Sequence, residues 1–294
     1  MITPPVRSPR APVTDPGTPT PPRVIRRRAI LPWIVAAALS AVMIGVVTAL
    51  ATNPRLDWGV TGQWLFNPRI LKGVWVTIQL SVLSMVFGIL LGTVIGIARL
   101  SHNRVLRLIA STYVTIFRSV PALLQLLLWG NIGLIIQQVS IGIPFTDVRL
   151  FAVDTNDLIA PFTAAVIALA LHEAAYVAEI VRGGILGVDV GQREAGAALG
   201  MPPGYIMRRV LLPQAFRLII PPLGNQFVTL IKATSLVAII AGGDVLTEAQ
   251  NIAASNYRVV EMLAVATFWY FLLVVAASIG QSFLERAATK GVRR

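Results

Sequence analysis

Glu173, Tyr176 and Glu179 stand at i, i+3 and i+6 inside an apolar stretch, residues 158–181, a spacing that puts them roughly along one side of a helix. A charged group in the middle of a membrane span costs about 2.5–3.5 kcal/mol on insertion scales, so each such group asks for a partner or a ligand. One reading makes this face a wall that accepts an α-ammonium or a cationic side chain. The other is local: Glu179 lies three residues before Arg182, and pairing between them is the reading preferred for Glu179. Glu173 is deeper and has the better claim to a solute path, with His172 beside it as an alternative partner. Charge of the opposite sign comes from Arg118 and Lys232, which could meet a carboxylate. Arg118, at the start of its apolar run, could equally anchor that run or pair at a gate, and Lys232 is placed to snorkel near the outer end of its own. Gln125, Asn225 and Gln226 are uncharged polar groups in apolar runs and either bond between helices or line a path. Both signs are present, as a zwitterionic solute would need.

Other chemistries are excluded. The chain has no Cys, which removes disulfides and thiolate metal sites. His102 and His172 are too far apart to form a metal motif, and Gly-Lys never occurs, so there is no P-loop for ATP. No cofactor and no catalytic residue is expected. The 294 residues are 55% hydrophobic and 13% charged, the composition of a multi-span membrane protein. The net charge of +12 is scattered in short clusters between apolar runs, a topology signal rather than a nucleic-acid surface.

The elements that must hold these side chains are apolar runs at 29–51, 73–98, 119–146, 158–181, 215–241 and 262–284, which predict six transmembrane helices and an all-α fold. The fifth run is interrupted by Pro221-Pro222 and Lys232. Its prolines should kink or unwind the helix and free carbonyls that only protein or a cavity could satisfy. Residues 1–28 carry eight prolines in their first 22 positions and are expected to be a disordered tail. The apolar run behind them is too long for a signal peptide. Segments 1–28, 99–112, 182–217 and 286–294 hold 6, 3, 5 and 4 Lys and Arg, whereas 52–72, 140–159 and 244–261 hold 3, 1 and 1. The bias puts both termini and the 182–217 connection in the cytoplasm. The opposite loops carry acids instead, Asp147, Asp154 and Asp157 in one and Asp244, Glu248 and Glu261 in another.

That connection contains a polar, basic stretch, residues 194–213, EAGAALGMPPGYIMRRVLLP. Residues 192–199 read as a helical leg, Gly200 as a break, and a second leg starts near Pro203 and loses its polarity near Val210. Glycine accepts positive φ, and proline suits the first turn of the next helix. Read locally, this elbow is either a coupling device or an amphipathic helix lying on the inner leaflet, for which Arg208 and Arg209 would suit anionic lipid. Glu194-Ala195, then Gly200, nine residues, then Val210-x-Leu212-Pro213 resembles the EAA loop of ABC-transporter permeases, with Gly196 where that pattern has Ala and Val210 where it has Ile. Gly196 would loosen the first leg by up to about 1 kcal/mol.

Residues 73–101, 113–126, 174–185, 211–240 and the last run into Glu285-Arg286 further resemble the permeases for polar amino acids (histidine, glutamate, glutamine, arginine and opines). The resemblance implies a five-helix importer domain over 73–286 with its coupling loop at 192–213. Residues 29–51 would then be an extra N-terminal span, and 287–294 a cytoplasmic tail. It further implies a bacterial inner-membrane subunit that pairs with an identical or similar second permease and binds two cytoplasmic ATPase subunits. An extracytoplasmic binding protein would deliver amino acid to it, and ATP would be hydrolysed on the partner chains. Glu194, Ala195, Gly200, Val210, Leu212 and Pro213 would carry the coupling. Another small zwitterion such as an opine or compatible solute stays open as cargo. Against a membrane scaffold or sensor, nothing outside the runs resembles a signalling domain, and a channel or ion-coupled carrier would not need the elbow.

Overall fold

The computed structural model describes residues 30–142 and 149–289. The Pro-rich segment 1–28 and residues 290–294 of the expected C-terminal tail lie outside them. Two units are distinguished, one ending at Asn53 and one beginning at Pro54. The first contains α1 (Ile30–Ala51), a helix with no buried residue. It is apolar on all sides, as a membrane-crossing helix should be.

In the second unit, α2 (Trp58–Leu65) starts at Asp57, whose carboxylate accepts from the Gly59 and Val60 amides. Then α3 (Pro68–Arg99) begins with Asn67 as cap and Pro68 in the first turn, both standard helix starts. α4 (Arg104–Ser119) is capped by Asn103 and is followed by α5 (Ala122–Gly130) and the short α6 (Ile132–Ile135). The run at 119–146, expected as one span, is not one helix. α4 and α5 meet at 98° across Val120-Pro121. Val120 is extended (φ −87°, ψ 126°) because a residue before proline is pushed out of the helical region. The chain then forms an antiparallel hairpin of β1 (Gln138–Gly142) and β2 (Arg149–Asp154), with Gln138 opposite Asp154 and an irregularity at Ile141/Gly142. It was not foreseen from the sequence.

After α7 (Thr155–Leu158) the chain enters α8 (Pro161–Leu186). α9 (Val190–Ala198) and α10 (Pro203–Ile206) form the elbow. A π turn, Met207–Leu211, leads into α11 (Leu212–Ala233), which continues through a 3₁₀ turn, Thr234–Ile240. α12 (Val245–Asn256) and α13 (Val259–Thr289) complete the described residues. Among the described residues, five helical runs are long and apolar enough to cross a membrane, and the bent α4–α5 pair makes a sixth if it counts as one span. The unwinding expected at Pro221-Pro222 is absent, since α11 is helical across both. Each proline removes one hydrogen bond but keeps a helical φ, and the flanking turns carry the helix through.

α3 and α8 pack along a seam of small residues. Gly88, Gly92 and Gly96 recur every fourth residue on α3 and are buried. They face Glu173, Ala174, Val177 and Ala178 of α8, so that a Cβ on Gly92 would lie 2.6 Å from the Ala174 carbonyl oxygen and 2.6 Å from Val177 Cβ. Small residues at this spacing let membrane helices approach closely enough for dense van der Waals contact. A second anchor is Asp244, which the sequence marks only as an outer-loop acid. It is fully buried and caps α12 by accepting from the Leu246 and Thr247 amides. It also accepts from the Thr247 hydroxyl and from Tyr270 Oη of α13 at 2.8 Å, while the Val245 amide donates to Thr77 Oγ1 of α3 at 3.1 Å. One carboxylate and its neighbour thus hold α12 to both α3 and α13.

Candidate functional site

The elbow is built by a complete helix stop. Leu199 ends α9, Gly200 takes φ +73°, the Gly200 amide donates to the Ala197 carbonyl at 2.9 Å and the Met201 amide to the Gly196 carbonyl at 3.1 Å. This paired arrangement closes a helix C-terminus with a left-handed glycine. Gly196 is buried where the legs meet: a Cβ there would lie 3.0 Å from Ile206 Cγ1. Its small size lets the legs touch, which offsets the loosening expected from its helix propensity. Glu194 and Ala195 are exposed on α9.

The second leg starts at Pro203, as expected, and does not stop where its polarity fades near Val210. It continues as a single helical run from Pro203 to Ile240, 38 residues. Pro213 explains the π turn: it has no N–H, and its ring would press on the carbonyl four residues back. The helix widens just before it, so the Leu212 amide donates to Met207, five residues back. Such widening is a known way to carry a membrane helix past proline. Val188, Ile206, Leu211, Ala215 and Ile219 form a buried cluster that joins the elbow to α11. Gln214 Nε2 reaches Gln192 Oε1 at 3.3 Å. Val210 and Leu212 are half-buried and Pro213 is exposed.

The six candidate path residues are not gathered in one place. Arg118 and Tyr176 are together: the Arg118 guanidinium lies over the Tyr176 ring at 5.3 Å. Both line a polar cavity of about 340 Å³ with Arg99, Thr115, Ser119 and Glu179. Glu179 forms the expected ion pair with Arg182, at 2.9 Å, and two more with Arg99 at 2.5 Å and Arg118 at 3.3 Å. Three guanidiniums on one carboxylate leave a local surplus of positive charge beside the cavity. Sequence reasoning missed Arg99, which arrives from α3 only through the tertiary fold.

Gln125 is buried and structural. Its Nε2 lies at 3.0 and 2.8 Å from the Phe117 and Val120 carbonyl oxygens and at 3.0 Å from His172 Nδ1. The Phe117 carbonyl is the one that Pro121 leaves without an amide partner, so the side chain replaces a lost backbone donor and fixes the bend. His172 is therefore engaged by Gln125 rather than serving as the partner considered for Glu173. Glu173 is only 1% exposed, has Gln226 as its hydrogen-bonding neighbour, and keeps Oε2 without a partner among the described residues. Asn225 Oδ1 accepts from Gln281 Nε2 at 2.8 Å. Lys232 lies apart, along a cavity of about 390 Å³ with Ser235, Thr267 and Tyr270.

The arginine cluster carries a test. Glu179→Gln leaves the three guanidiniums without a counter-charge and should lower stability by about 1.5–3 kcal/mol, read as a drop in melting temperature of the detergent-solubilised chain. Arg118→Gln should cost less, because Glu179 keeps two partners and Arg118 is the more exposed end of its pair. Equal melting of Glu179→Gln and wild type would show that the cluster adds no stability.

Residues 84–290 match the family described as the inner membrane component of binding-protein-dependent transport systems. The arginine transport system permease protein ArgU of Corynebacterium glutamicum is 39% identical over 263 residues, covering 89% of this chain and 81% of that protein. The L-cystine transport system permease protein TcyB of Bacillus subtilis is 36% identical over 247 residues, covering 84% of this chain and 97% of its own. Among solved structures, an amino acid ABC transporter crystallised with histidines superposes with a TM-score of 0.68 at 33% identity, over 79% of this chain and 99% of that one.

Proposed function

Because the chain belongs to the family of inner-membrane components of binding-protein-dependent transport systems, we propose that it is the permease subunit of an importer for polar amino acids. Members of this family are permeases and not the hydrolases of their systems, and this sequence has no Gly-Lys and hence no P-loop. ATP is hydrolysed on separate subunits. In this reading two cytoplasmic ATPases bind below a pair of permeases, identical or similar, and an extracytoplasmic binding protein delivers the solute. Both termini and the elbow lie in the cytoplasm, in line with the Lys and Arg bias.

The continuous helix from Pro203 to Ile240 is the observation that carries the coupling role. An elbow closed at Gly200 and clamped to α11 cannot move without moving the span. Glu194 and Ala195 present its exposed face to the ATPase, and Val210, Leu212 and Pro213 form the joint to the membrane. Closure and separation of the ATPases would tilt α11 and alternate access between the two sides. An inner-leaflet helix needs none of this clamping.

The solute path runs past the Arg118–Tyr176–Glu179 cavity. Surplus guanidinium charge suits a substrate carboxylate, and the orphan Glu173 oxygen supplies an acceptor for an ammonium once the helices part. The names of the relatives, arginine for one and cystine for another, agree with polar amino acids and not with a single charge class. An opine or compatible solute remains the second reading, since both share the zwitterionic chemistry. Reconstitution with the ATPase and binding protein, with ATP enclosed and labelled amino acids, an opine or a compatible solute outside, tests the assignment. ATP-dependent uptake of at least one amino acid is expected. Uptake of an opine alone would overturn the substrate class and keep the transporter. No ATP-dependent uptake of any solute would overturn both.

A further inference from the structure

A groove of about 430 Å³ opens where α3, α4, α8 and the start of α11 converge. Its walls are Ile97, Leu100, Leu106, Ile185, Met207 and Leu212, all apolar. A helix about 10 Å across would fill that volume with roughly one turn, so it suits a thinner occupant. At its polar edge is Ser101, whose carbonyl accepts from Arg107 Nη1 at 3.4 Å. Arg104 and Arg107 occupy the first two turns of α4, while Arg208 and Arg209 follow Met207 directly. There is no Asp or Glu at 97–112 or 200–214. Among the described residues none of these four arginines is in an ion pair.

Two further features point to an anion with an apolar tail. Cations near the N-terminus of a helix oppose its dipole, so Arg104 and Arg107 sit where a phosphate would be favoured by charge and dipole together. The outward side of α4 exposes Val105, Leu108, Ile109 and Ile116, a surface fit for acyl chains. We propose that this groove is a binding site for an anionic phospholipid, with one acyl chain against Leu106 and Met207 and the phosphate on Arg104 and Arg107. The proposal rests on the cytoplasmic assignment of this end only for which leaflet supplies the lipid.

Native mass spectrometry of the full-length chain, delipidated and titrated with dioleoyl phosphatidylglycerol or dioleoyl phosphatidylcholine, tests the site. The wild type should retain phosphatidylglycerol in preference to phosphatidylcholine by a factor on the order of ten, because the choline ammonium offsets the phosphate charge that one or two guanidiniums would otherwise meet. Arg104→Gln/Arg107→Gln should bring the two lipids to near parity, and Leu106→Trp, which fills the groove, should weaken retention of both. Equal retention by the wild type, or an unchanged preference in the double variant, overturns the proposal. The readout needs neither partner subunits nor uptake, so failure of transport in vesicles would leave it standing, and lipid parity would leave the importer reading standing.

Discussion

Gly92→Leu should abolish the folded bundle. The Cβ alone would lie 2.6 Å from both the Ala174 carbonyl oxygen and Val177 Cβ, closer than nonbonded atoms approach, and the obstacle on one side is backbone that cannot rotate away. Relief requires moving α3 from α8, and Gly88 and Gly96 lie on the same seam, so the contact cannot be lost at one point only. Overpacking a core ordinarily costs about 1–3 kcal/mol, and a backbone clash in the middle of a long helix pair belongs at or above that range. The measurement is size-exclusion chromatography of solubilised protein: the monodisperse peak should disappear. Gly183→Ala is the control. It lies on α8 with nothing within 4 Å of an added Cβ, and should be neutral or stabilising by up to about 1 kcal/mol. Equal, unperturbed profiles for both variants would mean that the seam is not close-packed in the membrane.

Gly200→Arg should leave the chain folded in the membrane and abolish both transport and association with the ATPase subunit. Gly200 has φ +73°, where an L-residue costs roughly 1–2 kcal/mol. Nothing lies within 4 Å of an added Cβ, so the damage is confined to the turn and to whatever docks on it. A strained turn shifts α9 against α10, displacing Glu194 and Ala195, while the seam and the anchor at Asp244 are untouched. Co-purification with the ATPase subunit is the direct readout, alongside uptake in vesicles. Normal co-purification would remove the coupling role from this elbow.

Five of the six spans, the elbow and its glycine break were legible because each rests on local rules: run length, charge-free composition, and the positive φ that glycine accepts; the run at 119–146 was not, since its helices break at Pro121. The small-residue seam was not read from the sequence, although Gly88, Gly92 and Gly96 stand there at four-residue spacing; that they face α8 is a tertiary fact. What lay beyond reach was tertiary. Glu179 declared its local partner Arg182, but Arg99 and Arg118 come from other helices and no spacing announces them. Gln125 looked like a path residue because a polar side chain in an apolar run has two explanations. Only the bend at Pro121, with its orphan carbonyl, decides for the structural one. The prolines misled in the other direction: the pair 221–222 leaves α11 helical, while the single Pro213 widens the turn before it.

The run from Pro203 to Ile240 has one more consequence, which concerns phase. At about 3.6 residues per turn, one inserted residue would rotate everything beyond it by roughly 100°. Such an insertion would swing the faces that meet α8 and α13 away from their partners while the elbow stayed in place. Tolerance to length change along this stretch is therefore periodic: a single residue breaks the alignment of its two ends, and a pair of full turns, about seven residues, nearly restores it.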